Sequence, residues 1–307
     1  MRRESCTVSI IGAGAAGVGA ALAFRRRGMQ SLVVLDAGFD TAASLRNQKW
    51  LQSGCFYLTN PPLAQQLWLG FPTVRHTAAA QRVLLRETAH CVATAEETLQ
   101  EREVMAAQCA ISLPRIMPDA LQLHPVLGPA NCVGGFLTPD SVVDFPALLQ
   151  QLRIQIAAEA SVLHGTAKQV VREGDRITGL IYEERASSEE VWLSAEWYIL
   201  CLGAWAPELL AGAAIPLPVT FQRWRSPVIT VEQELTDRIV AWLDGPRLTM
   251  VPFRGTTIIC NGERVPVETL QDAHLPVEEE VALLKQQLAA AFPRLDVAKL
   301  TIRNIHA

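Results

Sequence analysis

Residues 8–36 constrain this chain more than any other stretch, because they read as a strand, a glycine-rich turn, a helix and a second strand ending in an acid. Val8, Ser9, Ile10 and Ile11 lead into Gly12, Ala13, Gly14, Ala15, Ala16 and Gly17. Glycines at those spacings allow a tight turn, close backbone approach to a diphosphate and close packing of helix on strand. Backbone N–H groups and the positive end of the helix dipole can then hold an anion without a basic side chain. The helix is expected over residues 16–27, with Arg25, Arg26 and Arg27 at its negative end and Gly28 as the cap. Residues 31–35 are almost wholly apolar, as a parallel strand covered on both faces should be. Asp36 follows nineteen positions after Gly17, where a carboxylate accepts hydrogen bonds from an adenosine ribose and repels a 2′-phosphate. The unit predicts a dinucleotide other than NADP; the alternative is a βαβ unit whose glycines serve packing alone.

A chain of 307 residues, half of them hydrophobic, can bury a sizeable core and suggests two domains. Its net charge of −4 supplies no electrostatic reason to expect nucleic acid. The seven cysteines (Cys6, Cys55, Cys91, Cys109, Cys132, Cys201, Cys260) are odd in number and lack a C-x-x-C pair, which argues against a disulfide framework or a zinc site and for reduced, mostly buried thiols. The glycine spacing argues against reading residues 8–24 as a signal peptide. Nowhere do about eighteen apolar residues run together, so no integral membrane segment is expected and the cytoplasm is the expected location.

The segment after Asp36 is unusual for a plain nicotinamide dehydrogenase. Ser44, Leu45, Arg46, Asn47, Gln48 and Lys49 form a polar, cationic run that leads to Gly54, Tyr57 and Leu58, well placed to follow the rest of an extended cofactor. Here the chain resembles the FAD-dependent oxidoreductases of the D-amino-acid oxidase superfamily, which includes glycine and sarcosine oxidases and FAD-dependent glycerol-3-phosphate dehydrogenases. The resemblance implies FAD contacts from the turn (Gly12, Ala13, Gly14, Ala15, Ala16, Gly17), from Asp36 and Ala37, and from Ser44, Leu45, Arg46, Asn47 and Gln48. It continues through Gly134 to Pro146, a sequence similar to the one that leads family members back into the flavin domain. It also implies backbone contact near Ala167 with the adenine ring, and close passage of the cofactor at the Gly203-Ala204-Trp205 strand end, so that Gly203 and Trp205 join the set. Family members close with a glycine-bearing segment, whereas this chain has no glycine after Gly262 and residues 301–307 read as a strand cut short, so the resemblance implies a missing C-terminal segment.

The expected architecture is α/β: a Rossmann-like FAD-binding domain with a parallel sheet (residues 1–75 and 140–212), plus a second domain with a largely antiparallel sheet and covering helices (residues 76–139 and 213–307). A helix beginning near Asn60 should break at Gly70-Phe71-Pro72. A longer one, over residues 77–104, is expected from the spacing of Val83, Leu84, Cys91, Val92, Ala95 and Leu99. Asp144 is expected to cap a helix over residues 146–159. Gly174-Asp175 should turn between strands, and residues 226–231, 247–252 and 256–260 should be strands of a second sheet.

The expected function is transfer of a hydride from an amino acid, secondary amine or hydroxy acid carbon to FAD; the alternatives are an NAD-dependent dehydrogenase or an incomplete, non-catalytic flavin-binding module. No catalytic base stands out. Lys49, Tyr57 and His76 are candidates to lie near the flavin, and Arg223, Arg225 and Arg254 to pair with a substrate carboxylate, since a guanidinium offers parallel donors to a planar anion.

Overall fold

The computed structural model describes residues 1–38, 43–45, 47–120, 132–215, 224–225, 228–245, 247–262, 265–266 and 278–306. The chain opens with β1 (Arg2–Ile11), α1 (Ala15–Arg26), β2 (Leu32–Asp36), β3 (Trp50–Leu51), α2 (Pro61–Ala80), β4 (Leu84–Arg86), β5 (Ala89–Ala93) and α3 (Glu96–Gln108). It continues through β6 (Arg115–Ile116), β7 (Gly134–Thr138), β8 (Ser141–Val143), α4 (Phe145–Glu159), β9 (Ser161–Glu173), β10 (Arg176–Glu184), β11 (Glu190–Leu200) and α5 (Ala206–Gly212). Then come β12 (Trp224–Arg225), β13 (Val228–Val231), β14 (Ile239–Trp242), β15 (Thr249–Phe253), β16 (Thr256–Cys260), β17 (Val265–Pro266), α6 (Glu278–Ala291) and β18 (Ile302–His306). Two compact units result, Met1–Asn47 with Phe145–Gln222, and Gln48–Asp144 with Arg223–Ala307. The sequence reading set its breaks elsewhere, after residues 75, 139 and 212. Residues 48–75 fall in the second unit because β3 pairs with β8, and Cys55, Leu58 and Ala64 share a core with Ala106 and Cys109.

In the first unit β11, β1, β2 and β9 run parallel, and β9, β10 and β11 form an antiparallel meander that closes the strands into a barrel. Two long strands make the closure. Ser161 to His164 of β9 pair with β2, and the rest of the strand turns to pair with β10 across the Gly174-Asp175 turn. The apolar run of β1 and β2 splits by the two-residue period of a strand. Val8, Ile10, Leu32 and Val34 pack against Val18 and Ala21 of α1 and Leu149 and Ile156 of α4, whereas Ile11, Val33 and Leu35 pack against Val170, Leu180 and Val191. Burial on both faces is why these strands carry so few polar residues.

The second unit holds an eight-stranded sheet in the order β18-β13-β16-β15-β14-β5-β7-β6, antiparallel throughout except where β14 meets β5. Alternation again divides the strands: Ile229, Val240, Trp242, Met250 and Ile259 pack with Leu284, Leu288 and Phe292 of the α6 region, and Cys91, Ala241, Val251 and Ile258 pack with Trp50, Leu99 and Val142. Among the described residues no helix is long and apolar enough to cross a membrane. The seven cysteines are free, and four of them are buried.

Two helix expectations are corrected. Instead of breaking at Gly70-Phe71-Pro72, α2 runs unbroken over 20 residues, with Phe71 buried and Pro72 on the exposed side. Instead of one helix over residues 77–104, the chain finishes α2 and then makes β4, β5 and the start of α3. Every residue of β5 is buried, because it lies between β14 and β7 with both faces covered. Such a strand lacks the two-residue alternation that would have set it apart from a helix.

Burial has a consequence at His90 of β5, which is 3% exposed. Arg238 Nη1 lies 3.4 Å from its Nε2, and a guanidinium can only donate, so the ring nitrogen accepts. Loss of hydration, then the Arg238 charge, bring the pKa from 6.5 down to about 4. Because the unfolded histidine titrates higher, its contribution to stability is present above about pH 6.5 and is lost as the pH falls toward 4. His90→Gln should therefore lose up to about 3 kcal/mol less than the parent chain between pH 7 and 4, read from urea midpoints.

Candidate functional site

The glycine turn sits where β1 ends between β2 and β11. Gly12 N–H donates to the Leu35 carbonyl at 2.7 Å and Cys201 N–H to the Ile11 carbonyl at 2.8 Å, tying the strand ends together. Gly12 has a φ of +99°, and a Cβ there would lie 2.6 Å from the Cys201 carbonyl oxygen. At Gly17 a Cβ would fall well inside 3.0 Å of the Gly12 carbonyl. These two glycines therefore serve the turn and the helix-strand contact, whereas a Cβ at Gly14 would meet only a side chain, the Ser44 hydroxyl at 3.2 Å.

α1 begins here with no acid in its first turn and no side-chain cap from Gly14. Ala15 and Ala16 are exposed, so the positive end of the dipole meets solvent. Two side chains reach the turn. Asp36, at the end of β2, accepts the Ala13 N–H on Oδ1 at 3.3 Å, and Ser44 accepts the Ala15 N–H at 3.0 Å. A hydroxyl that accepts an amide hydrogen can still donate its own hydrogen to an anion. Asn47 Nδ2 in turn donates to the Ser44 carbonyl at 3.0 Å and fixes that loop. The donors, the glycine cradle and the carboxylate fit the diphosphate and ribose of FAD: anion donors cluster at the helix start and the acid stands beside them.

The other expected cofactor contacts are placed as follows. The Ala37 carbonyl accepts from Arg185 Nη2 at 2.8 Å, and Leu45 packs in the core beneath the turn. Gln48 Oε1 accepts from the Cys260 thiol at 2.7 Å in the second unit. Ala167 lies in the antiparallel part of β9, opposite Tyr182. Gly203, with a φ of +56°, is exposed, and nothing stands within 4 Å of where its Cβ would be; Trp205 follows in the same 3₁₀ turn. Arg46 lies outside the described residues.

Of the substrate-site candidates, the structure brings two together. Arg254 and Gly255, with φ of 51° and 79°, form the two-residue turn between β15 and β16. Arg254 Nη2 donates to Asp144 Oδ2 at 2.7 Å. Lys49, also left-handed with a φ of 61°, accepts the Val143 N–H on its carbonyl at 2.9 Å. Burial lowers the Lys49 pKa, and the Asp144 charge opposes that shift. Non-glycine residues held in this conformation cost roughly 1–3 kcal/mol each and concentrate at functional sites. Tyr57 packs edge-on to Phe56 with centroids 6.1 Å apart, and His76 is exposed on α2, so neither joins this cluster. The Arg225 backbone pairs with Val265 in a two-stranded ribbon; Arg223 lies outside the described residues.

The sequence reading missed Arg153 on α4. Its Nε and Nη2 donate to the Ala13 carbonyl at 2.8 and 2.6 Å, and Nη2 lies 3.4 Å from Asp36 Oδ2. The contact spans 140 positions, and no spacing pattern marks one arginine on a helix as its source.

The family model for FAD dependent oxidoreductases matches residues 7–305. One chain of the anaerobic glycerol-3-phosphate dehydrogenase of Escherichia coli (strain K12) is 24% identical over 301 residues, covering 92% of this chain and 53% of that protein. The chain thus spans about half the length of the curated relatives it matches. Among solved structures, glycine oxidase from Geobacillus kaustophilus superposes with a TM-score of 0.76 at 19% identity, covering 100% of this chain and 82% of that one. The glycerol-3-phosphate dehydrogenase from Bacillus halodurans, solved with FAD, superposes with a TM-score of 0.73 at 16% identity, covering 95% and 54%.

Proposed function

This chain belongs to the FAD dependent oxidoreductase family and its cofactor is FAD, and from that premise we propose that it oxidises a small anionic substrate at a carbon bearing an amine or a hydroxyl. FAD supplies the hydride acceptor; the NAD-dependent alternative falls with the family assignment. The turn at Gly12 to Gly17 takes the diphosphate, Asp36 the adenosine ribose, and Ser44 a phosphate oxygen through its own hydrogen. Ala37, Leu45, Asn47, Ala167, Gly203 and Trp205 line the rest of the cofactor's course in this reading.

One observation carries the substrate class: Arg254 pairs with the Asp144 carboxylate, and Lys49, whose carbonyl holds the neighbouring Val143 N–H, lies within electrostatic reach of the same anion. Arg254 can offer a carboxylate or phosphate paired donors, which is the basis for an anionic substrate. Glycine and glycerol 3-phosphate, named for the relatives, both carry such a group. Free thiols throughout suit a reducing compartment, and we place the protein in the cytoplasm on that ground.

Anaerobic mixing with amino acids, sarcosine, 2-hydroxy acids and glycerol 3-phosphate tests the reading through loss of flavin absorbance. An anionic substrate should bleach the flavin, and Arg254→Met should raise KM for it roughly tenfold with a smaller change in kcat. Bleaching by no member of the panel would favour an inert flavin-binding module.

A further inference from the structure

We propose that Arg153 is a positioning residue for the cofactor: from the back of the turn it aims the backbone that receives the diphosphate and holds Asp36 in place for the ribose. The inference rests on FAD as cofactor and not on the substrate reading. Three contacts form a ring around Ala13. Its N–H is held by Asp36 Oδ1 at 3.3 Å, its carbonyl by Arg153 at 2.8 and 2.6 Å, and Arg153 Nη2 closes the ring at 3.4 Å from Asp36 Oδ2.

Ala13 thus has both flanking peptide planes pinned. A trans peptide is a rigid plane with its C=O and N–H pointing in opposite directions. Drawing the Ala13 carbonyl toward Arg153 therefore turns the Gly14 N–H the other way, toward the exposed start of α1 where Ala15 and Ala16 face solvent. Gly14 on its own has little to resist rotation, since glycine tolerates most backbone angles. The same guanidinium keeps the Asp36 carboxylate from swinging away while leaving it lone pairs for two ribose hydroxyls. Arg153 and Asp36 side chains are 31% and 18% exposed, so the ring is partly shielded from water, where charge-assisted hydrogen bonds hold their strength. Lysine could not replace it: one ammonium is a point charge and lacks the planar fork that meets carbonyl and carboxylate together.

ADP, which carries the ribose and diphosphate without the flavin, is the probe. Calorimetric titration of the flavin-free protein should show Arg153→Met weakening ADP roughly tenfold, with FAD falling by a similar factor and Arg153→Lys lying between. In an Asp36→Asn background the same change should cost less than in the parent chain, because the hold on the carboxylate is already gone and only the hold on the Ala13 carbonyl is left to lose. ADP affinity within about twofold of the parent chain, with or without a lower melting temperature, would overturn the proposal. So would a full tenfold loss in the Asp36→Asn background. Should Arg153→Met fail to fold, Arg153→Lys decides alone, since parental ADP affinity there would show that the fork is not needed.

Discussion

Gly17→Ala will yield a protein that emerges from purification without its yellow flavin. The added Cβ would overlap the Gly12 carbonyl oxygen, a backbone atom that cannot rotate aside, and would also lie 3.3 Å from Cys201 Cβ. Relief requires α1 to lift from β1, which moves the amides at its start away from the diphosphate and opens the packing of Val18 and Ala21 on Val8 and Ile10. Overpacking of this kind costs roughly 1–3 kcal/mol in a core, and the displaced donors add to that, so FAD affinity should fall by about a hundredfold or more. Gly19→Ala is the matched control. It lies on the same helix with nothing within 4 Å of its Cβ, so alanine there should leave the flavin bound and add about 0.5–1 kcal/mol of stability through helix propensity. Flavin absorbance per protein and the melting temperature of each variant read out both effects. Retention of flavin by Gly17→Ala would mean that the close approach of α1 to β1 is not what holds the cofactor.

That contrast also shows what the sequence carried. Gly12, Gly17 and Asp36 were legible because their constraint is local: a turn, a helix start and a strand end lie within one short stretch and fix one another. Strands β15 and β16 were legible from a local shift toward a two-residue period, whereas the Arg254-Gly255 turn between them emerges only in the structure. The long helix expected over residues 77–104 failed because β5 owes its identity to partners remote in sequence, β14 above all, and a strand covered on both faces shows no period of its own. Arg153 was illegible in the same way. The surroundings of Asp144 were half legible, since Lys49 and Arg254 stood out as cations but only the fold shows Arg254 paired with Asp144 and Lys49 held beside Val143. Asp144, expected as a helix cap, stands immediately before α4, and its Oδ2 also accepts from Arg254.

Asp140→Ala should unfold the protein more readily than any other single side-chain truncation proposed for the second unit, by about 3–5 kcal/mol. Asp140 is fully buried, accepting from the Ser53 N–H and from the Thr138 hydroxyl at 2.8 Å. Alanine strands both donors away from water. Ser53 precedes Gly54, whose φ of +104° places the site of a Cβ against the Ala64 carbonyl, so the segment has no alternative path. Asp140→Asn behaves differently. Burial raises the Asp140 pKa, with the hydrogen bonds from Ser53 and Thr138 opposing it, so part of what the aspartate gains from its partners is offset by the cost of a buried charge. Asparagine keeps a carbonyl acceptor without that charge. Since the folded pKa lies above the unfolded value near 4, the stability Asp140 contributes is fully present below about pH 4 and declines as the pH rises through the raised folded value. The advantage of the parent chain over Asp140→Asn should accordingly shrink from pH 4 toward neutrality. Urea midpoints of the two chains, taken as a difference at each pH so that His90 and other shared groups cancel, would show it. A difference that grows with pH would mean that the ionised carboxylate is the better-held form and that the hydrogen bonds outweigh the loss of water.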